Sequence, residues 1–236
     1  MEPNLKQKAA AFFVIGLMGA TMGVTSAYYQ SLYIPSEGSV ISSRPVAQHL
    51  PKLFLDPSLI EAKTAVIYDP QTGDILFDKD AQMQRPLASL TKLATARAVL
   101  SSANQNQIIV IKPADLAPEG DSGLKVGDVW KLSDLIAFGL TTSSNDAMAA
   151  AADALSGSNT LARMNNAAAT GDMPQSYFLN PTGLDVSSTT AGAYGSALDV
   201  AHLVDDLLRN YPNVFEATTH EPKLSGDSGK GTEATP

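Results

Sequence analysis

The sequence predicts an α/β fold, and three observations lead there. Thr64-Ala65-Val66-Ile67-Tyr68 and Ile75-Leu76-Phe77 flank Pro70-Gln71-Thr72-Gly73, a hairpin by its turn chemistry. Helix-friendly apolar stretches recur at 89–101, 133–138, 147–155 and 197–209. Residues 108–111 add a short apolar strand.

Taken in chain order, the first feature is an apolar or small-residue run at 9–29, with no charge from 9 to 36. Roughly 20 such residues span a hydrocarbon core. Lys6 and Lys8 precede the run, so residues 1–8 are expected in the cytoplasm and the remainder on the extracytoplasmic side of the cell membrane. An uncleaved transmembrane signal anchor is the first expectation for 9–29. A cleaved signal peptide is the second, because Thr25-Ser26-Ala27 is a poor small-x-small site and the run exceeds a usual signal core. Residues 30–60, punctuated by Pro35, Pro45, Pro51 and Pro57, suit a semi-extended linker.

The globular domain is expected over 61–219. After the hairpin and the helix at 89–101 come the strand at 108–111 and a loop, Glu119-Gly120-Asp121-Ser122-Gly123. Ser133 and Asp134 read as a helix start, and Asn145 precedes the Ala-rich run 147–155. That run has almost no polar residue, so burial on all sides is expected. Leu198, Val200, Ala201, Val204, Leu207 and Leu208 give the last helix its apolar stripe. Residues 220–236 hold one large apolar residue and are expected to be a disordered polar tail.

Composition excludes several functions. The net charge of −8 argues against a nucleic-acid partner. There is no cysteine, hence no disulfide, thiolate metal site or cysteine nucleophile. His49, His202 and His220 lack ligand spacing, and no metal or other cofactor is expected.

The chemistry centres on PLASLTKLATARAVL at 86–100, where an ammonium group sits among Leu87, Leu90, Leu93 and Ala94. Ser-x-x-Lys alone is a weak signal: 22 serines and 11 lysines in 236 positions supply about one match by chance, and there are two. The other, Ser122-Gly123-Leu124-Lys125, lies in a glycine-rich loop that does not hold i and i+3 in register. Ser89 and Lys92 lie where a helix begins, about one turn apart, so the amine reaches the hydroxyl. Burial would lower the lysine pKa and leave a general base beside a serine nucleophile. A helix lysine snorkelling to water is the competing explanation. Ser143-Ser144-Asn145 shifts that balance: Ser143 could relay a proton to a leaving amine and Asn145 hold a substrate amide, although Ser and Asn are also helix-capping residues.

Three stretches, AKTAVIYDPQTGDILFDKDAQMQRPLASLTKLATA, GLKVGDVWKLSDLIAFGLTTSSNDAMAAAAD and YFLNPTGLD, together make residues 62–219 resemble the penicillin-binding D-alanyl-D-alanine carboxypeptidases of low molecular mass. The resemblance implies a serine β-lactamase/DD-peptidase-like fold and an exported enzyme that removes terminal D-alanine from peptidoglycan stem peptides. It implies Ser89 as the acylated nucleophile, Lys92 as its base, Ser143 in the relay and Asn145 on the substrate. The Ser89 N–H would be one oxyanion donor, and Asn180-Pro181-Thr182-Gly183-Leu184-Asp185 would support the site. The implied partners are stem peptides ending in D-Ala-D-Ala and β-lactam antibiotics, which would acylate Ser89.

The family's third element, Lys-Thr-Gly on a strand facing the nucleophile, is absent; Lys230-Gly231-Thr232 has the letters in another order. The expectation is a chain truncated at its C-terminus, without the strands that share a sheet with the hairpin, and with impaired turnover. A class A-like β-lactamase is disfavoured because no glutamate occurs between 146 and 215. The Gly-Asp-Ser-Gly stretches at 120–123 and 226–229 do not make a trypsin-like protease without an all-β pattern, and Gly229-Lys230-Gly231 is no phosphate loop. A membrane-anchored peptidoglycan-binding or scaffold module without catalysis is the alternative of a different class.

Overall fold

The computed structural model describes residues 13–16, 55–117, 120, 123–155 and 159–216, in two compact units, Met1–Asp80 and Ala81–Pro236. In the first unit, strand β1 (Phe13–Gly16) pairs with β2 (Ala65–Tyr68), which pairs with β3 (Ile75–Lys79), all antiparallel. The β2–β3 hairpin is the expected one. Asp69 closes its turn, its Oδ1 accepting the Gln71 N–H at 2.8 Å and its carbonyl accepting the Gly73 N–H at 2.8 Å. Ala65, Ile67, Leu76 and Phe77 form a small buried cluster, with Ile60 packed on it.

β1 lies inside the run expected to cross a membrane, and Phe13, Val14 and Ile15 are residue types that strands favour. The rest of 9–29, residues 1–8, most of the 30–60 linker and the 220–236 tail lie outside the described residues. Among the described residues, no helix is long and apolar enough to cross a membrane.

The second unit is built around α1 (Thr91–Leu100), against which α2 (Leu132–Thr142), α3 (Asn145–Asp153), α4 (Thr160–Thr170) and α5 (Ala197–Asn210) all pack. A helix surrounded on so many sides needs small side chains, which TKLATARAVL supplies with three alanines. Thr91, Thr95, Ala96 and Val99 are fully buried, whereas Leu90 and Leu93 are only half-buried. The leucines expected to bury Lys92 are therefore not the deepest positions. α3 is buried on most faces, as expected, apart from Asp153 at its end.

Several elements differ from the sequence prediction. α2 starts at Leu132, with Lys131 at its N-cap; Ser133 Oγ donates to Asp134 Oδ1 instead of capping. α4 was not predicted, because its apolar stripe is thin: only Thr160, Met164 and Ala168 are buried. β5 (Ile108–Val110) pairs with an unpredicted partner, β6 (Val129–Lys131), behind which Trp130 stacks at a tilt on Phe138, 5.1 Å between ring centroids. The short helix α6 (Pro212–Glu216) closes the described chain.

A third small sheet positions the site. β4 (Arg85–Pro86), β7 (Tyr177–Phe178) and β8 (Ala193–Gly195) run in the order β4-β8-β7, all antiparallel. Just past β4, the Leu87 N–H donates to the Ala193 carbonyl at 3.0 Å, which fixes the chain as it enters the Ser89 turn. Asp199, 1% exposed on α5, anchors the approach to β7 by accepting from Gln175 N (2.9 Å) and Ser176 Oγ (2.7 Å).

Candidate active site

Ser89 lies on a single 3₁₀ turn, Ala88–Leu90, that runs directly into α1. Ala88 has φ +44°, a left-handed conformation that costs a non-glycine residue on the order of 1–2 kcal/mol. The surroundings must hold that conformation in place. Ser89 itself is exposed, whereas Lys92, one turn further on, is 2% exposed.

The Lys92 amine and the Ser89 hydroxyl are joined by a hydrogen bond of 2.9 Å. Lys92 Nζ also donates to the Thr182 carbonyl at 3.2 Å. Among the described residues no carboxylate forms an ion pair with Lys92, and burial pushes its pKa below the ordinary lysine value. A neutral amine has two N–H groups and one lone pair. With one N–H on Thr182 O, the lone pair can accept the Ser89 O–H, the arrangement a base needs before it takes a proton.

The Thr182 carbonyl comes from a tight turn at 180–184. Asn180 Oδ1 accepts three hydrogen bonds, from Thr182 N (3.1 Å), Thr182 Oγ1 (3.1 Å) and Gly183 N (2.7 Å). Its Nδ2 donates to the Leu184 carbonyl at 2.7 Å. Thr95 Oγ1, on α1, donates to the Pro181 carbonyl at 2.7 Å. Gly183 has φ +83°, and a Cβ there would stand 1.9 Å from the Ala88 carbonyl oxygen. Its lack of a side chain lets this turn lie against the backbone that carries Ser89.

Ser143 and Asn145 occupy the junction of α2 and α3. Ser144 does the capping, its Oγ accepting the Ala147 N–H at 3.0 Å, so Ser143 is spared that role. Ser143 closes α2 at φ +58° with an exposed side chain, and Asn145 opens α3, half-buried beneath Gly120. The structure thus joins Ser89 to Lys92 directly. It carries Ser143 and Asn145 on two helices that pack against α1, and among the described residues the Ser143 hydroxyl bonds to neither Ser89 nor Lys92.

The rival Ser-x-x-Lys is not comparable. Lys125 is exposed in a non-helical turn, its N–H on Asp128 Oδ2, and Ser122 lies outside the described residues. His202 Nδ1 is bonded to the Asp172 carbonyl at 2.7 Å, on α5. Among the described residues no acidic and histidine side chains group as a metal site. The resemblance pointed to 180–185 as support for the site; the structure adds how Asn180, Thr182 and Gly183 give that support. An Asn-Pro-Thr-Gly run is a turn signal, but nothing in it says what the turn touches.

A family profile described as Peptidase S11, D-alanyl-D-alanine carboxypeptidase, matches residues 52–228. D-alanyl-D-alanine carboxypeptidase DacF of Bacillus subtilis is 30% identical over 179 residues, covering 72% of this chain and 45% of that protein. The crystal structure of D-alanyl-D-alanine carboxypeptidase from Mycobacterium tuberculosis H37Rv superposes with a TM-score of 0.61 at 29% identity, over 68% of this chain and 60% of the other. Ampicillin-bound penicillin-binding protein D2 from Listeria monocytogenes gives a TM-score of 0.59 at 28% identity, covering 76% and 72%. The chain spans about half the length of the curated relatives it matches.

Proposed function

The chain belongs to the D-alanyl-D-alanine carboxypeptidase family, and from that premise we propose that Ser89 is acylated by peptides ending in D-Ala-D-Ala. The observation that supports this best is the buried Lys92 amine, with no ion pair among the described residues, hydrogen-bonded to an exposed serine hydroxyl.

In the proposed reaction, Ser89 Oγ attacks the carbonyl carbon of the penultimate D-alanine and Lys92 takes the hydroxyl proton. The Ser89 N–H stabilises the developing oxyanion. The C–N bond to the terminal D-alanine breaks, and the proton passes through Ser143 to the leaving amine, with Asn145 holding the substrate amide. D-alanine departs and an ester remains on Ser89. Water then attacks the ester, and its proton returns by way of Lys92 to Ser89 Oγ. A β-lactam follows the first half of this course, but its amine stays tethered, so the ring opens and the whole molecule remains attached.

The test is intact-protein mass spectrometry after incubation with ampicillin. A gain of the full antibiotic mass, mapped to the peptide carrying Ser89, is expected; no adduct would instead favour the non-catalytic peptidoglycan-binding module.

The pH dependence follows from the lysine. The neutral form is the base, so acylation should rise with pH with its midpoint below the ordinary lysine value, because burial lowers the Lys92 pKa. A midpoint at or above the ordinary lysine value would contradict it.

We also propose that the globular part lies outside the cytoplasm, on the strength of the apolar run at 9–29 and Lys6 and Lys8 before it. A fusion of alkaline phosphatase after residue 60 should be active in bacterial cells; an inactive fusion would refute export.

A further inference from the structure

We infer that Asn180 is a positioning residue that sets the Ser89–Lys92 geometry from outside the active-site helix. This rests on the acylation reading above, but the geometry behind it does not.

Lysine has a long, rotatable side chain, and burial alone does not say where its nitrogen stops. Two acceptors locate Lys92 Nζ: Ser89 Oγ, on its own helix, and Thr182 O, 90 residues later. The second is only as well placed as the turn that presents it. That turn is organised by one side chain, since Asn180 Oδ1 receives Thr182 N, Thr182 Oγ1 and Gly183 N while Nδ2 holds Leu184 O. A four-bond hub of this kind uses both ends of the amide, which no other side chain except glutamine could do.

The same hub reaches the nucleophile. The Gly183 N–H that it fixes belongs to the residue lying against Ala88, whose left-handed backbone immediately precedes Ser89. Base and nucleophile are thus referenced to a single amide, the base through Thr182 O and the nucleophile through Gly183. Misplacing reacting groups by about 1 Å costs on the order of 10²-fold in rate.

Charged groups on the neighbouring helices do not compete for this role. Arg97 and Asp206 pair with each other, and Arg163 donates to Ser102.

The experiment compares acylation by a fluorescent penicillin in wild type, Asn180→Ala, Asn180→Asp and a control, Asn165→Asp. Asn165 is likewise bonded through both ends of its amide, to Phe178 N, Phe178 O and Leu161 O, and makes no bond to Lys92. The rate for Asn180→Ala, measured on the folded fraction, should fall by ~10–100-fold. Asn180→Asp keeps the acceptor for all three donors but adds a negative charge near Lys92, so its profile should move to higher pH by about 1 unit, with the plateau partly restored. Asn165→Asp should lower the melting temperature without moving the profile.

In parallel, the Lys92 side chain is titrated by NMR without substrate, and its pKa should be higher in Asn180→Asp than in wild type or Asn165→Asp. Loss of acylation in proportion to melting temperature in both asparagine variants would overturn the inference, as would an unmoved Lys92 titration. If wild type is not acylated at all, the proposed function fails and the titration alone decides the positioning role.

Discussion

Ser89→Ala is expected to abolish the penicillin adduct while leaving the protein folded. The side chain is exposed and, among the described residues, its hydroxyl bonds to Lys92, so removing it takes away the attacking atom and almost no packing. Exposed substitutions of this kind usually change stability by within ~0.5 kcal/mol. Lys92 keeps Thr182 O as an acceptor in the variant. Labelling, mass spectrometry and thermal melting together separate the outcomes. No adduct with an unchanged melt is the expected result. An adduct that persists in Ser89→Ala would assign the nucleophile elsewhere, with Ser122 the first residue to check.

Gly183→Ala should have the largest effect on stability. The new methyl group would sit 1.9 Å from Ala88 O, 2.6 Å from Ala88 C and 2.7 Å from Thr91 Oγ1. Two of those atoms are backbone and the third is fully buried, so none can swing aside. The φ of +83° adds its own strain for any residue with a Cβ. Steric overpacking at about 1–3 kcal/mol and the backbone term at about 1–2 kcal/mol give a loss of roughly 2–5 kcal/mol, a large part of a typical stability of ~5–15 kcal/mol. Adduct formation should fall with it, because the displaced backbone carries Ser89. Gly127→Ala is the internal control: its φ is +91°, but nothing lies within 4 Å of the added carbon. Urea denaturation should show the backbone strain alone in Gly127→Ala and a much larger loss in Gly183→Ala; equal losses would mean that the Gly183–Ala88 contact is not tight.

Burial of Lys92 also has a stability consequence with a definite sign. Its folded pKa lies below the unfolded value, so between the two the unfolded chain binds more protons. Over that window the contribution of Lys92 to stability rises with pH; below it the residue is a constant cost.

Local patterns in the sequence foretold local structure. The β2–β3 hairpin, α1, α3 and α5 appear where turn residues, alanine runs and a wide apolar stripe predicted them. α4 did not announce itself, since TLARMNNAAAT shows the core only Thr160, Met164 and Ala168. β4, β7 and β8 are two or three residues long, too short for a period of two to register. The pairing of β4 with β8 joins residues about 110 positions apart, such as Arg85 with Gly195.

The sequence by itself determined the chemistry on offer. Ser89 and Lys92 are three residues apart at the start of a helix, and helical geometry puts the two side chains within reach of each other. It also singled out Ser143-Ser144-Asn145, but not which of the two serines caps α3. Tertiary structure decided the rest: that Lys92 is buried, that Thr182 O meets its amine, and that Gly183 braces the strained Ala88 turn. The physical reason is range. A hydrogen bond across three residues is fixed by backbone periodicity, whereas one across 90 residues exists only after four helices have packed around α1 and brought a distant turn against it.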